Sequence, residues 1–204
     1  TVHAHRNWWW FQVAHLCDRD GPRSGVTYDG RLNARDGHGQ WWEAYDPQEL
    51  YGRIHGLREE PDEVYVRNFY DRVRDLIDRH DPDILYFDNI GLPLGWAGMN
   101  LAAYFYNHNR KTRGGALSAV LNIKGVPDSQ AKAVVADYER GVTDRIMPFP
   151  WQSETCLGDW HYNRGRYRDH SYMQPGQVIH WLIDTVSKNG TFVLNVPGKP
   201  DGTI

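Results

Sequence analysis

Asp88 follows the apolar run Ile84-Leu85-Tyr86-Phe87. A carboxylate at the C-terminal end of a buried strand is poorly placed for stability and needs partners or a substrate. An aspartate that caps the next turn is the structural alternative. Hydrolysis of a glycoside takes two carboxyl groups, one attacking or assisting at the anomeric carbon and the other protonating the departing oxygen. Two residues are candidates for the second group. One is Glu139, in Asp137-Tyr138-Glu139-Arg140-Gly141; the other is Glu154, in Trp151-Gln152-Ser153-Glu154-Thr155. The alternative for Glu139 is a surface ion pair with Arg140 or Arg145. For Glu154 it is hydrogen bonding inside a Trp-lined strand end.

Nine Trp and twelve Tyr in 204 residues exceed what core filling usually needs. Such side chains offer flat apolar faces with a polar edge, which suits the C–H faces and polar rims of sugar rings. Core and interface packing would use them equally well. The formal net charge of -3 gives no basic footprint, so nucleic acid is not an expected partner. No run of eighteen apolar residues is present, which excludes a membrane-spanning helix. Cys17 and Cys156 have no metal-ligand spacing, and two free buried thiols are expected rather than a disulfide. The ten His form no HExxH pair, and glycoside hydrolysis by two carboxyl groups needs neither metal nor organic cofactor. Asn189-Gly190-Thr191 is formally a glycosylation sequon, though a turn before a strand explains it equally well.

Several elements must position these residues. Residues 1–5 read as a short strand, Trp8 to Leu16 as helix or loop, and 18–45 as a long loop with a hairpin near Val26–Tyr28. Pro61 to His80 reads as a helix with Val66, Phe69, Tyr70, Val73, Leu76 and Ile77 on one face. Ile84 to Phe87 is a buried strand, 97–111 a helix, Ala119 to Ile123 a strand, and Ser129 to Asp137 a short helix. Pro150 to Thr155 is a strand, Gln177 to Ser187 a helix capped by Asn189-Gly190, and Phe192 to Val196 the last strand. The helix Gln177 to Ser187 carries Val178, Trp181, Leu182, Thr185 and Val186 on one side. Short apolar strands alternating with amphipathic helices argue for βαβ units and a parallel sheet. The expected class is α/β, a partial (β/α)₈ barrel lacking about the first three βα units, with residues 1–204 as one catalytic-type domain. The opening Thr1-Val2-His3-Ala4-His5 reads as strand interior, and no localisation signal is legible in it.

Three stretches resemble glycoside hydrolase family 29. They are Phe69-Tyr70-Asp71 through Asp83 to Asn89, then Pro150 through Tyr162, and Leu182 to Gly190 followed by Leu194-Asn195-Val196-Pro197 and Asp201-Gly202. The resemblance implies a retaining exo-α-L-fucosidase on a (β/α)₈-like barrel. Asp88 matches its nucleophile and Glu139 its acid/base, with Glu154 second. Lys124 stands where many members carry a sugar-binding Arg. Tyr86, Trp151 and Trp160 would line the sugar site, with His3, His5 and Trp9 as weaker candidates near the first strand end. The family's early paired-His motif has no counterpart here. The rival expectation is a non-catalytic or vestigial fucose-binding barrel fragment. An incomplete barrel exposes strand edges and apolar interior, so a homo-oligomer covering the open side is expected.

Overall fold

The computed structural model describes Trp8, residues 32–56 and residues 58–204. The strand expected at residues 1–5 and the hairpin at 26–28 lie outside these residues, as do Cys17 and the site candidates His3, His5 and Trp9. The chain divides into two compact units, Thr1–Val120 and Leu121–Ile204.

In the first unit, residues expected as loop contain the 3₁₀ turn Ala34–Gly37, whose cap residue Asn33 exchanges side-chain and backbone hydrogen bonds with Asp36. Helix α1 (Pro47–Tyr51) starts at Asp46, which accepts from the Gln48 N–H at 2.9 Å. Helix α2 (Glu63–His80) starts at Asp62, whose carboxylate accepts from the Tyr65 N–H at 2.9 Å. Its apolar stripe buries Tyr65, Val66, Phe69, Val73 and Ile77, each contributing about 1.5–3 kcal/mol. Asp81 ends it in the left-handed region, at φ 41°. Strand β1 (Ile84–Ile90) runs three residues past Phe87 and takes in Asp88 and Asn89. Helix α3 (Trp96–Thr112) packs on α2 through a face that includes Leu101 and Phe105. Trp8 is buried here, its ring stacked on His55 at 3.8 Å and its Nε1 donating to the Glu59 carbonyl at 3.0 Å.

Strand β2 (Val120–Lys124) begins where the Val120 N–H donates to the Asp83 carbonyl at 2.8 Å. The sheet continues through β3 (Val135–Glu139), β4 (Trp151–Cys156) and β5 (Gly190–Asn195), in the strand order β1-β2-β3-β4-β5. Strands β2 to β5 pair in parallel. β2 and β4 are buried almost throughout, as parallel strands covered on both faces are. The helix expected over Ser129 to Asp137 is corrected. Asp128–Gln130 forms a short 3₁₀ turn, residues 131–133 continue as turn, with the Ala133 N–H donating to the Gln130 carbonyl at 2.8 Å, and β3 begins at Val135. The helix formers Ala131, Lys132 and Ala133 do not decide this segment; hydrogen bonding of β3 to β2 and β4 on either side overrides local propensity.

Two helices complete the second unit, α4 (Arg164–Asp169) and α5 (Pro175–Ser187). α5 lies on β5. It buries Thr185 and half-buries Val178 and Trp181, but leaves Leu182 and Val186 exposed beside Ile179 and Ile183. The expected single apolar side is therefore split into a packed face and an open one. After α5 the left-handed residue is Asn189, at φ 69°, not Gly190. Gly190 is needed for another reason: a Cβ there would stand 2.6 Å from the Trp151 ring. Among the described residues no helix is long and apolar enough to cross a membrane.

Candidate active site

Three neighbouring strands of the second unit deliver a charged cluster. Lys124 ends β2, Glu139 ends β3, and Glu154 lies in β4 directly beside Glu139 in register. Lys124 Nζ stands 2.6 Å from Glu139 Oε2 and 3.0 Å from Glu154 Oε1. The other oxygen of Glu139, Oε1, accepts from Trp160 Nε1 at 3.1 Å. Arg140 lies over the Trp160 ring, 5.3 Å from its centroid. Glu139 thus pairs with Lys124 and not with Arg140 or Arg145.

Two carboxylates share one ammonium, with Lys124 and Glu154 largely closed to water and Glu139 open to it on one side. The Lys124 and Glu154 side chains are 16% and 12% exposed, and Glu139 is 35% exposed. Pairs at that depth interact more strongly than exposed ones, because less solvent screens them. The ammonium and the indole N–H each hold one oxygen of Glu139, which fixes the carboxyl plane. Proton transfer to or from a reacting group requires that positioning.

One layer deeper, Asn122 Nδ2 donates to Gln152 Oε1 at 2.7 Å, and Gln152 Nε2 donates to Asp137 Oδ1 at 2.7 Å. All three side chains are buried. The pairs 122/124, 137/139 and 152/154 each lie two residues apart on a strand, so each pair shares a face. The amide–carboxylate ladder thereby sets the strand register that brings the charged residues together. Sequence reasoning did not single out Asp137 and Gln152. A polar residue two places before each charged one was the available signal.

The opposite face of β4 is structural. Ser153 Oγ donates to the Gly141 carbonyl at 2.7 Å and accepts from Trp181 Nε1 at 2.9 Å, tying the turn after Glu139 to α5. Trp151, expected to line a sugar site, is 1% exposed. Its Nε1 donates to the Lys188 carbonyl at 2.9 Å, and its ring meets Tyr138 edge-on at 5.6 Å. It occupies a core position because its place in the strand points it into the packed face. Trp160 is half-buried and keeps its place at the cluster. Cys156 is a free, buried thiol, as expected.

In the first unit, β1 alternates. Leu85, Phe87 and Asn89 are buried on one face, while Tyr86 and Asp88 share the other and are half-buried. Asp88 is therefore not on the face of β1 that carries the buried apolar side chains.

The sequence profile of the α-L-fucosidase family matches residues 14–204. The chain belongs to the α-L-fucosidase family. Solved structures of α-L-fucosidases resemble it as well. One is 25% identical with a TM-score of 0.55, over 70% of this chain and 31% of that one. The Thermotoga maritima α-fucosidase is 27% identical with a TM-score of 0.54, over 70% of this chain and 30% of that one. The same bacterial enzyme in complex with fucose is 25% identical with a TM-score of 0.53, over 79% of this chain and 34% of that one. The chain thus spans about a third of the length of these fucosidase structures. No curated protein matches it.

Proposed function

We propose that this chain carries the catalytic carboxylates of a retaining exo-α-L-fucosidase acting on terminal α-L-fucosides. The observation that carries this reading is the cluster of Lys124, Glu139, Glu154 and Trp160 on adjacent parallel strands of a fucosidase-family chain. In the proposed reaction, Asp88 attacks the anomeric carbon while Glu139 gives its proton to the departing glycosidic oxygen. The C–O bond breaks and an ester to Asp88 forms. Glu139, now ionised, takes a proton from water, whose oxygen attacks the same carbon and releases Asp88. Two displacements retain the configuration, and the two carboxyl groups then work at roughly 5–5.5 Å from each other. Glu154 is the alternative acid/base. Lys124, Trp160 and Tyr86 contact the sugar. The chemistry needs neither metal nor organic cofactor.

The sheet order supports a (β/α)₈-like barrel as the framework, because it never reverses as a doubly wound sheet does. The five strands are read as consecutive barrel strands of one catalytic domain. An eight-stranded barrel would add about three βα units to them. The exposed Ile179, Leu182, Ile183 and Val186 of α5 support association with a second copy that covers this side.

The test is Asp88→Gly assayed on 4-nitrophenyl α-L-fucoside, with product configuration followed by NMR on the unaltered protein. Turnover should fall by about 10³-fold or more, and the first-formed fucose should be the α anomer. Normal activity in the variant, or a β product, would reject the mechanism. A second reading is a fucose-binding module without turnover. It is favoured by the Lys124 ammonium already occupying an oxygen of each glutamate. Fucose binding with no hydrolysis by the unaltered protein would select it.

A further inference from the structure

A pocket of about 370 Å³ opens in the second unit beside the end of β4. Its walls include Arg140, Cys156, Arg166, Tyr172, Gln177 and Trp181, and among the described residues no carboxylate lines it. Two guanidiniums therefore face one space without an acidic side chain in its wall. Arg166 is partly committed: its Nε donates to Asp159 at 3.0 Å, just outside the lining, and its Nη1 to the Ser171 carbonyl at 3.1 Å. Asp159 is in turn held by Asn163 at 2.8 Å. The Arg166 hydrogen bond, then that of Asn163, pulls the Asp159 carboxyl below its ordinary range. Arg140 differs. Its Nη2 donates to Cys156 Sγ at 2.9 Å and to the Gly158 carbonyl at 3.4 Å, and no carboxylate is hydrogen-bonded to it among the described residues. Its backbone sits in the left-handed region, at φ 52°. A side chain there costs about 1–2 kcal/mol that a glycine would not. The fold thus holds a cation with spare donors in a strained position, beside a second cation and a cavity, with Asp159 outside the lining as their nearby counter-charge.

We propose that this pocket binds a singly charged oxyanion, a carboxylate or sulfate ester, carried on the leaving-group side of the substrate. Planar guanidinium forks suit such groups. The pocket's place relative to the reaction follows from Arg140. Its guanidinium stacks on Trp160, whose Nε1 holds Glu139. If Glu139 is the acid that protonates the departing oxygen, a leaving group lies next to this stack. That assignment to the leaving-group side rests on the fucosidase reading; anion binding itself does not.

Direct binding measurements keep the two apart. Quenching of tryptophan fluorescence would be titrated with galactose 6-sulfate, galacturonate and galactose, at low salt and at roughly 0.5 M sodium chloride, where charge attraction is largely screened. The expected result is tighter binding of one or both acidic sugars than of galactose, weakened by salt. Stronger binding of the sulfate or of the uronate identifies which oxyanion the pocket prefers. Arg166→Met should weaken the acidic sugar by about ten-fold or more, and Arg166→Lys should recover part of the loss. Arg168→Met, which removes an exposed arginine paired with Asp169, should leave binding unchanged. Melting curves identify any variant that fails to fold, in which case the Arg166→Lys comparison with galactose decides. Equal binding of neutral and acidic sugars, or an acidic sugar bound as well by folded Arg166→Met, overturns the proposal. Anion binding without fucoside hydrolysis would retain the anion site while rejecting the fucosidase reading.

Discussion

Two charged clusters, one in each unit, are built on different plans. Asp81 and Asp83 lie just before β1 begins, and Arg113 bonds to both. Asp81 also accepts from Thr112 at 3.2 Å and faces His108 at 3.1 Å. Here cations and anions are distributed among several partners near solvent, at the junction of two helix ends and a strand start. The Lys124 cluster is built differently. It gathers two carboxylates on one ammonium where three strands end or approach their ends; Lys124 and Glu154 are mostly out of water, while Glu139 is as exposed as Asp81. A fold gains little from crowding like charges there, since each carboxylate must be desolvated beside the other. Crowding of that kind is what a site for proton transfer uses.

The two clusters should differ most sharply at Glu139. Glu139→Gln should lower the rate on a fucoside with a poor leaving group by about 10²–10⁴-fold. It should do much less harm with 2,4-dinitrophenyl fucoside, whose departing oxygen needs no proton. If Glu154→Gln gives that pattern instead, the acid/base role moves to Glu154. Lys124→Met comes next. It leaves two neighbouring carboxylates without their shared cation, so urea unfolding should show a loss of about 2–4 kcal/mol. An unchanged midpoint would mean that the cluster is no more consequential than a surface pair. Gly190→Ala should cost about 1–3 kcal/mol by the same measurement, because its Cβ would meet both the Trp151 ring and, at 2.7 Å, Thr185 Cγ2.

The smallest effect belongs to the first-unit cluster. The hydrogen bond from Arg113 lowers the pKa of Asp81 first and most, with Thr112 adding to it. The folded value lies below the unfolded one, near ~3.9. The stabilisation is therefore fully present above that unfolded value and is lost as pH falls through the folded one. Arg113→Ala should lower the melting temperature slightly at neutral pH. The difference from the parent should shrink as pH falls through the folded value of Asp81. A large neutral-pH loss would erase the contrast between the clusters.

Much of the framework was legible where one signal dominated. The helix α2 and the strand at 84–87 both form, but Leu76 of the expected apolar face and Ile84 of the expected buried run are exposed, because the stripe and the strand each bury only one side. β3 was missed because Ala131, Lys132 and Ala133 favour helix locally, while the strand's hydrogen-bond partners come from residues distant in sequence. The number of strands agrees with the expected five only because β3 takes the place of a strand expected at 1–5, outside the described residues. Glu139, Glu154, Lys124 and Trp160 were legible as site candidates, and the second unit brings them together. Trp151 was overread, because resemblance of a motif places a residue in the chain but not on a face of its strand, and here the ring lies in the packed face. The ladder of Asn122, Gln152 and Asp137 went unread because it exists only once three strands are in register.

The close approach of Gly190 to Trp151 couples two positions 39 residues apart in the chain (190 − 151). The glycine cannot be replaced while its neighbours keep their places. A side chain at 190 would fit only after the ring at 151 shrinks and the Thr185 methyl, 2.7 Å from the same Cβ, gives way. Substitutions along this lineage should therefore appear in a fixed order, with the indole shrinking before the glycine is replaced.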